Sequence, residues 1–199
     1  MDFITKNIKK ARVFNTILLA AAAVLCILQF IQFAGNLSGS DNDITTIFSA
    51  VFFQLYDIVY ILAIVFGFLY MFGYYKKDAA KFYRRFMFLF SLSEFLLVVA
   101  DLIGTKAMGA GSNISGVLAT AVCVNTFLLT FAKDLGRKTS IGLAISLLAV
   151  MLINSIRLLI LYSSILSFVA LAVMDIAIAC IACLFVLAKY ADKAERGTK

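Results

Sequence analysis

Residues 46–75 read TIFSAVFFQLYDIVYILAIVFGFLYMFGYY, and the next ten, 76–85, read KKDAAKFYRR. In the first stretch Asp57 is the only charged residue. A bilayer core of ~30 Å is crossed by about 20 apolar helical residues. The run is therefore a predicted transmembrane helix with residues to spare, which must tilt or project. The basic cluster behind it marks the side on which it stops.

Five further segments meet the same criterion, so the predicted spans are 13–35, 46–75, 86–104, 115–132, 141–162 and 165–188. Only Ser163 and Ser164 separate the last two, which predicts a tight helical hairpin. The fold class expected is all-α, a polytopic membrane bundle of six transmembrane helices forming one domain over residues 1–199. Composition agrees. Of 199 residues 63% are apolar and 15% charged, against roughly 45–50% and 25% in soluble domains. The mean hydropathy is +1.01. A soluble domain of this size could not hide so much apolar surface, and a disordered chain would not carry it.

Charge sets the expected direction. Lys6, Lys9, Lys10 and Arg12 precede the first span; Lys76, Lys77, Lys81, Arg84 and Arg85 join the second to the third. Lys133, Arg137 and Lys138 join the fourth to the fifth, and Lys189, Lys193, Arg196 and Lys199 follow the sixth. Of the 18 Lys and Arg, only Lys106 and Arg157 fall elsewhere. Cytoplasmic loops carry the excess of such residues. Both termini are thus predicted to be cytoplasmic, in a plasma membrane. The net charge of +7 then reflects topology and contact with anionic lipid head groups, and no nucleic-acid partner is expected.

Several chemistries are excluded by absence. The chain has no histidine, proline or tryptophan, which removes His-ligated zinc and His general-base catalysis. Cys180 and Cys183 have C-x-x-C spacing, but they lie in an apolar span rather than at an exposed helix start, where redox pairs sit. Cys26 and Cys123 also lie in apolar runs and are expected to pack as small hydrophobes. An aspartyl-type pair is the one intramembrane catalytic arrangement left, and the glycine-rich surroundings of such enzymes are missing. No enzyme activity, catalytic residue, metal or cofactor is expected.

The informative residues are ionisable groups inside the spans, each costing ~2.5–3.5 kcal/mol at a helix centre on the insertion scale. They are Asp57, Glu94, Asp101, Arg157 and Asp175. Their positions fall in the outer half and middle of the bundle. Arg157 and Asp101 are candidates for a structural ion pair, with head-group snorkelling as the other option for Arg157. Asp57, Glu94 and Asp175 then remain as surplus acids. Either a proton neutralises some of them, or a cation or water occupies the space between. Tyr60 follows Asp57 by one turn, and Asn154 precedes Arg157 by one turn. The candidate substrate or ion site is thus Asp57, Glu94, Asp175, Tyr60 and Asn154, facing a cation, proton or positively charged small solute. Tyr60 could add hydrogen bonds and cation–π contact to an amine.

A non-catalytic role is the competing reading. Ala20-Ala21-Ala22-Ala23 makes a small-residue surface on the first span, suited to close helix approach. It could dock a membrane partner subunit, a second copy, or another helix of this chain, as in an assembly or immunity-type factor. In size, six spans, cytoplasmic termini and alanine-rich first span, the chain resembles the S-components of energy-coupling factor transporters. That likeness is architectural, includes no substrate motif, and implies a substrate-binding subunit of a vitamin uptake system.

The topology is directly testable in a cysteine-free background. A cysteine at Ser40 is expected to react with an impermeant maleimide added outside intact cells. One at Thr139 should react only once the inner face is opened. The opposite pattern would overturn the orientation.

Overall fold

The structure is a computed structural model that describes residues 2–37, 44–72, 79–104, 111–131, 134–161, 173 and 176–184. Every regular element among them is helical. The helices are α1 (Asp2–Leu37), α2 (Ile44–Phe72), α3 (Ala79–Gly104), α4 (Gly111–Thr130) and α5 (Arg137–Leu161). Residues 176–184 form a further helical stretch, α6. The all-α class is therefore as expected.

The helix bounds differ from the expected spans in an instructive way. α1 begins at Asp2 rather than near residue 13, and α3 at Ala79 rather than near residue 86. Hydropathy marks where a helix becomes apolar, not where its hydrogen bonding starts. Lys and Arg are good helix formers, so the basic segments around Lys9 and Arg84 simply continue the helices. Two stretches among the described residues are long and apolar enough to cross a membrane, Ile47–Phe72 and Arg137–Asn154. Arg12–Leu28 and Val117–Thr130 are shorter apolar helices. Most of the expected sixth span lies outside the described residues.

Consecutive helices pack side by side, most extensively α2 on α3, then α3 on α4. Cross-contacts fix the sense as antiparallel. Between α2 and α3, Ser49 Oγ donates to Ala100 O at 3.0 Å, Tyr60 meets Phe90 edge-on at 5.7 Å, and Tyr70 meets Tyr83 at 5.9 Å. Position rises on one helix as it falls on the other. The same holds for α1 and α2, where Cys26 faces Asp57 and Leu19 faces Gly67.

Two devices close the array. Asn15 of α1 is fully buried. Oriented to satisfy both ends of its amide, it donates to Ala177 O and accepts from Ile181 N, each at 3.2 Å. It thereby ties α1 to one turn of α6. Near it Ala22 is also fully buried, while Ala20 of the alanine run is exposed. At one end of the array, Arg84 of α3 pairs with Asp134, just beyond α4. The chain then turns back into α5 through Gly136, whose carbonyl accepts from Ser140 N at 3.0 Å.

Gly67 marks the tightest junction. A Cβ built there would lie 3.2 Å from Phe86 Cδ2 and 3.3 Å from Leu19 Cδ2, so α1, α2 and α3 meet where no side chain intervenes. Gly67→Leu should therefore overpack the junction. The expected loss is about 1–3 kcal/mol of stability, read as a lower melting temperature, with partial recovery when Phe86→Ala is added. An unchanged melting temperature would show that the three helices can separate there at no cost.

Candidate functional site

Most buried polar side chains are explained by a local partner. Thr126 Oγ1 donates to Val122 O at 2.8 Å, Thr130 Oγ1 to Phe127 O at 2.6 Å, and Ser93 Oγ to Phe90 O at 2.7 Å. These hydroxyls bond back to their own helices, as Ser and Thr do inside apolar helices. Ser49 and Asn15 have the cross-helix partners described above. Ser91 Oγ reaches Cys123 O at 3.1 Å on α4. Among the described residues two carboxyls are buried as well, Asp57 on α2 at 3% exposure and Glu94 on α3 at 8%.

They belong to one cluster. Tyr56 is buried on α2, and its hydroxyl lies within electrostatic reach of Glu94, Tyr60, Cys26 and Asp57. Cys26 Sγ lies 3.9 Å from both Asp57 O and Asp57 Oδ1. The Tyr56 and Tyr60 rings are 5.8 Å apart, and Tyr60 continues onto Phe90. Gln54, one turn before Asp57, holds its Nε2 buried with no hydrogen-bond partner among the described residues. Three helices thus contribute: α1 through Cys26, α2 through Tyr56, Asp57 and Tyr60, and α3 through Glu94.

The local sequence explains the arrangement. Residues three and four apart share a helix face, so 53, 56, 57, 60 and 64 turn one side of α2 toward its neighbours. Tyr56, Asp57, Tyr60 and Ile64 are buried, whereas Leu55, Ile58, Leu62 and Val65 are exposed. The polar stripe lies inside, and the outward face of α2 is apolar.

Of the residues expected to form a site, the structure groups Asp57, Glu94 and Tyr60. Asn154 is half-buried on α5, a helix whose main neighbour is α4. Asp175 lies outside the described residues, as do the side chains of Asp101 and Arg157, and with them the expected ion pair. Cys26 and Tyr56 also join the cluster. For Tyr56 the signal was its place flanking Asp57 and one turn before Tyr60, which puts the two tyrosines on one helix face. For Cys26 there was none, since only the packing of α1 on α2 brings the thiol to Asp57. Among the described residues no three His, Cys, Asp or Glu side chains converge as a metal site.

Such a cluster offers carboxylate oxygens, phenol hydroxyls and aromatic ring faces in one low-dielectric place. No family model, curated protein or solved structure matches the chain.

Whether Tyr56 joins the two carboxyls energetically is measurable by a double-mutant cycle. Tyr56→Phe and Glu94→Gln should be non-additive in stability by at least about 0.5 kcal/mol, as residues in one polar network are. Tyr56→Phe combined with Thr130→Val, whose hydroxyl bonds within α4, should be additive. Additivity in both pairs would separate Glu94 from the tyrosine.

Proposed function

We propose that the chain is a small multi-pass membrane protein of the transport class, which binds a cation, proton or positively charged small solute at the Asp57–Tyr56–Glu94 cluster. The membrane part rests on an inverted polarity. Val13, Ile17, Val24 and Ile31 on α1, and Ile47, Val51, Ile58 and Val65 on α2, are all exposed, while the carboxyls are inside. A water-soluble bundle puts its charges on those faces. The reverse is expected where lipid is the solvent, because ionisable residues in spans face the bundle interior.

The charge pattern at one end of the array supports a cytoplasmic N-terminus, and the basic tail after residue 188 favours the same side for the C-terminus. Arg12 is close to Tyr70, Tyr70 to Tyr83, and Arg84 to Asp134. The basic starts of α1, α3 and α5 therefore share one end of the array, as the positive-inside rule requires of inward loops. From that end the helix rise of 1.5 Å puts Glu94 about 15 Å from Arg84, and Asp57 about 20 Å from Tyr70. These depths correspond to the middle and outer half of a ~30 Å core. The third acid, Asp175, and Asn154 complete the proposed site by sequence position.

The observation that carries the transport reading is two carboxyls, Asp57 and Glu94, buried on neighbouring helices. Buried acids in a low dielectric do not stay ionised without a proton, a cation or another compensating partner. One turn before Asp57, the buried Gln54 amide nitrogen has a donor to offer a guest.

Neutral isosteres test this reading. Glu94→Gln and Asp57→Asn keep shape and remove charge. Purified and reconstituted in vesicles, both variants should fold and lose most proton or sodium flux, measured with an internal pH dye or with radioactive sodium. Full flux in both would remove the cluster from any transport role.

A further inference from the structure

The lipid-facing side of α3 carries a feature that the transport reading does not use. Lys81, Arg85, Phe88, Leu92 and Phe95 follow one another at spacings of four, three, four and three, so they form one stripe along the helix. All five are exposed. The apolar part of the stripe borders a groove of about 310 Å³, open to the outside, between α3 and α4. Phe88, Leu92 and Phe95 form one wall, and Val124, Phe127 and Leu128 the other.

The floor of the groove explains why it exists. Ser91 Oγ donates to Cys123 O at 3.1 Å, and Cys123 Sγ donates to Ser91 O at 3.4 Å. This reciprocal pair of small side chains draws α3 and α4 together. The large residues on either side must then splay outward, leaving a channel between two rows of rings and branched chains.

The charges at its end are unspent. Arg84 is taken by Asp134, but no carboxylate pairs with Lys81 or Arg85 among the described residues. Arg85 is held in place instead by the Phe66 ring of α2, 5.5 Å from its guanidinium carbon. From Arg85 to Phe95 the helix rises about 15 Å, half of a ~30 Å hydrocarbon core.

We infer that this groove holds one acyl chain of an anionic phospholipid from the inner leaflet, with its phosphate at Lys81 and Arg85. The inference rests on the membrane reading above. The chemistry fits a lipid better than a second protein chain. The groove wall runs about 10 Å along α3 from Phe88 to Phe95, and Lys81 and Arg85 precede it on the same stripe, where a phosphate would stand. Basic sites between helices on the cytoplasmic side recognise anionic head groups in this way.

The absence of tryptophan supplies a clean reporter. Phe127→Trp places the chain's single indole in the groove, and Leu62→Trp places one on the exposed face of α2. Each protein is reconstituted in phosphatidylcholine vesicles containing either brominated phosphatidylglycerol or brominated phosphatidylcholine as quencher. At position 127, half-quenching is expected at about a tenfold lower mole fraction of the glycerol lipid, given two basic residues near the head group. Position 62 should show no preference, and Lys81→Gln with Arg85→Gln should abolish the preference at 127. Lys138→Gln, a basic change away from the stripe, should leave it intact.

Equal quenching by both lipids at 127, or a preference that survives the double variant, would overturn the inference. Quenching at 62 with none at 127 would also overturn it, by showing the groove covered by protein, such as a second copy. Quenching at neither position would instead mean that the membrane reading itself had failed.

Discussion

A single hydrogen atom in place of a side chain at Gly67 lets α2 settle against Phe86 of α3 and Leu19 of α1. From that junction the α2–α3 seam runs both ways, through the Tyr70–Tyr83 pair on one side and Tyr60–Phe90 on the other. The register fixed there decides what stands opposite what. It brings Tyr56 to the level of Glu94, and Cys26 to the level of Asp57. A slip of one turn, about 5.4 Å, would part Ser49 from Ala100 O and set Tyr60 against a different neighbour. Close packing is thus the condition for the polar cluster. Aromatic pairs of this kind, each contributing about 0.5–1.5 kcal/mol beyond their buried area, hold the register along the whole seam.

The remaining polar groups show how an apolar array tolerates them. Hydroxyls on α3 and α4 return to their own helices, and Ser49 and Ser91 cross to a neighbouring carbonyl. Each uses a backbone acceptor already in place, so none needs a charged partner. Carboxyls cannot be settled so easily, because an ionised carboxylate only accepts, and the helix interior offers few free N–H groups. That asymmetry sets Asp57 and Glu94 apart from the buried hydroxyls.

Much of the fold was legible because helix-length apolar runs leave few alternatives. The centres of α1 to α5 fall within the stretches expected from hydropathy, and the missing prolines left those runs unbroken. The ends were not legible. Lys and Arg sustain a helix as well as they end an apolar run, so α1 and α3 extend into the basic segments. At the site, the acids were visible as residues out of place, and Tyr60 through its spacing from Asp57. Cys26 was not, because a thiol in an apolar run looks the same whether it meets leucine or a carboxylate. The groove between α3 and α4 was hidden for a similar reason. Ser91 and Cys123 are far apart in sequence, and neither alone announces a close helix crossing.

The lock at Asn15 also bears on the order in which the chain is made. Its amide is completed by Ala177 and Ile181, which leave the ribosome long after it. At a synthesis rate of about 5–20 residues per second, the delay is roughly ten to thirty seconds. Throughout that time α1 carries an amide whose final partners do not yet exist. A nascent chain halted before residue 177 would keep that amide unsatisfied by α6, and so would differ chemically from a finished one. α1, made well before α6, therefore reaches these contacts late, and closure of the array becomes a record that translation has reached α6.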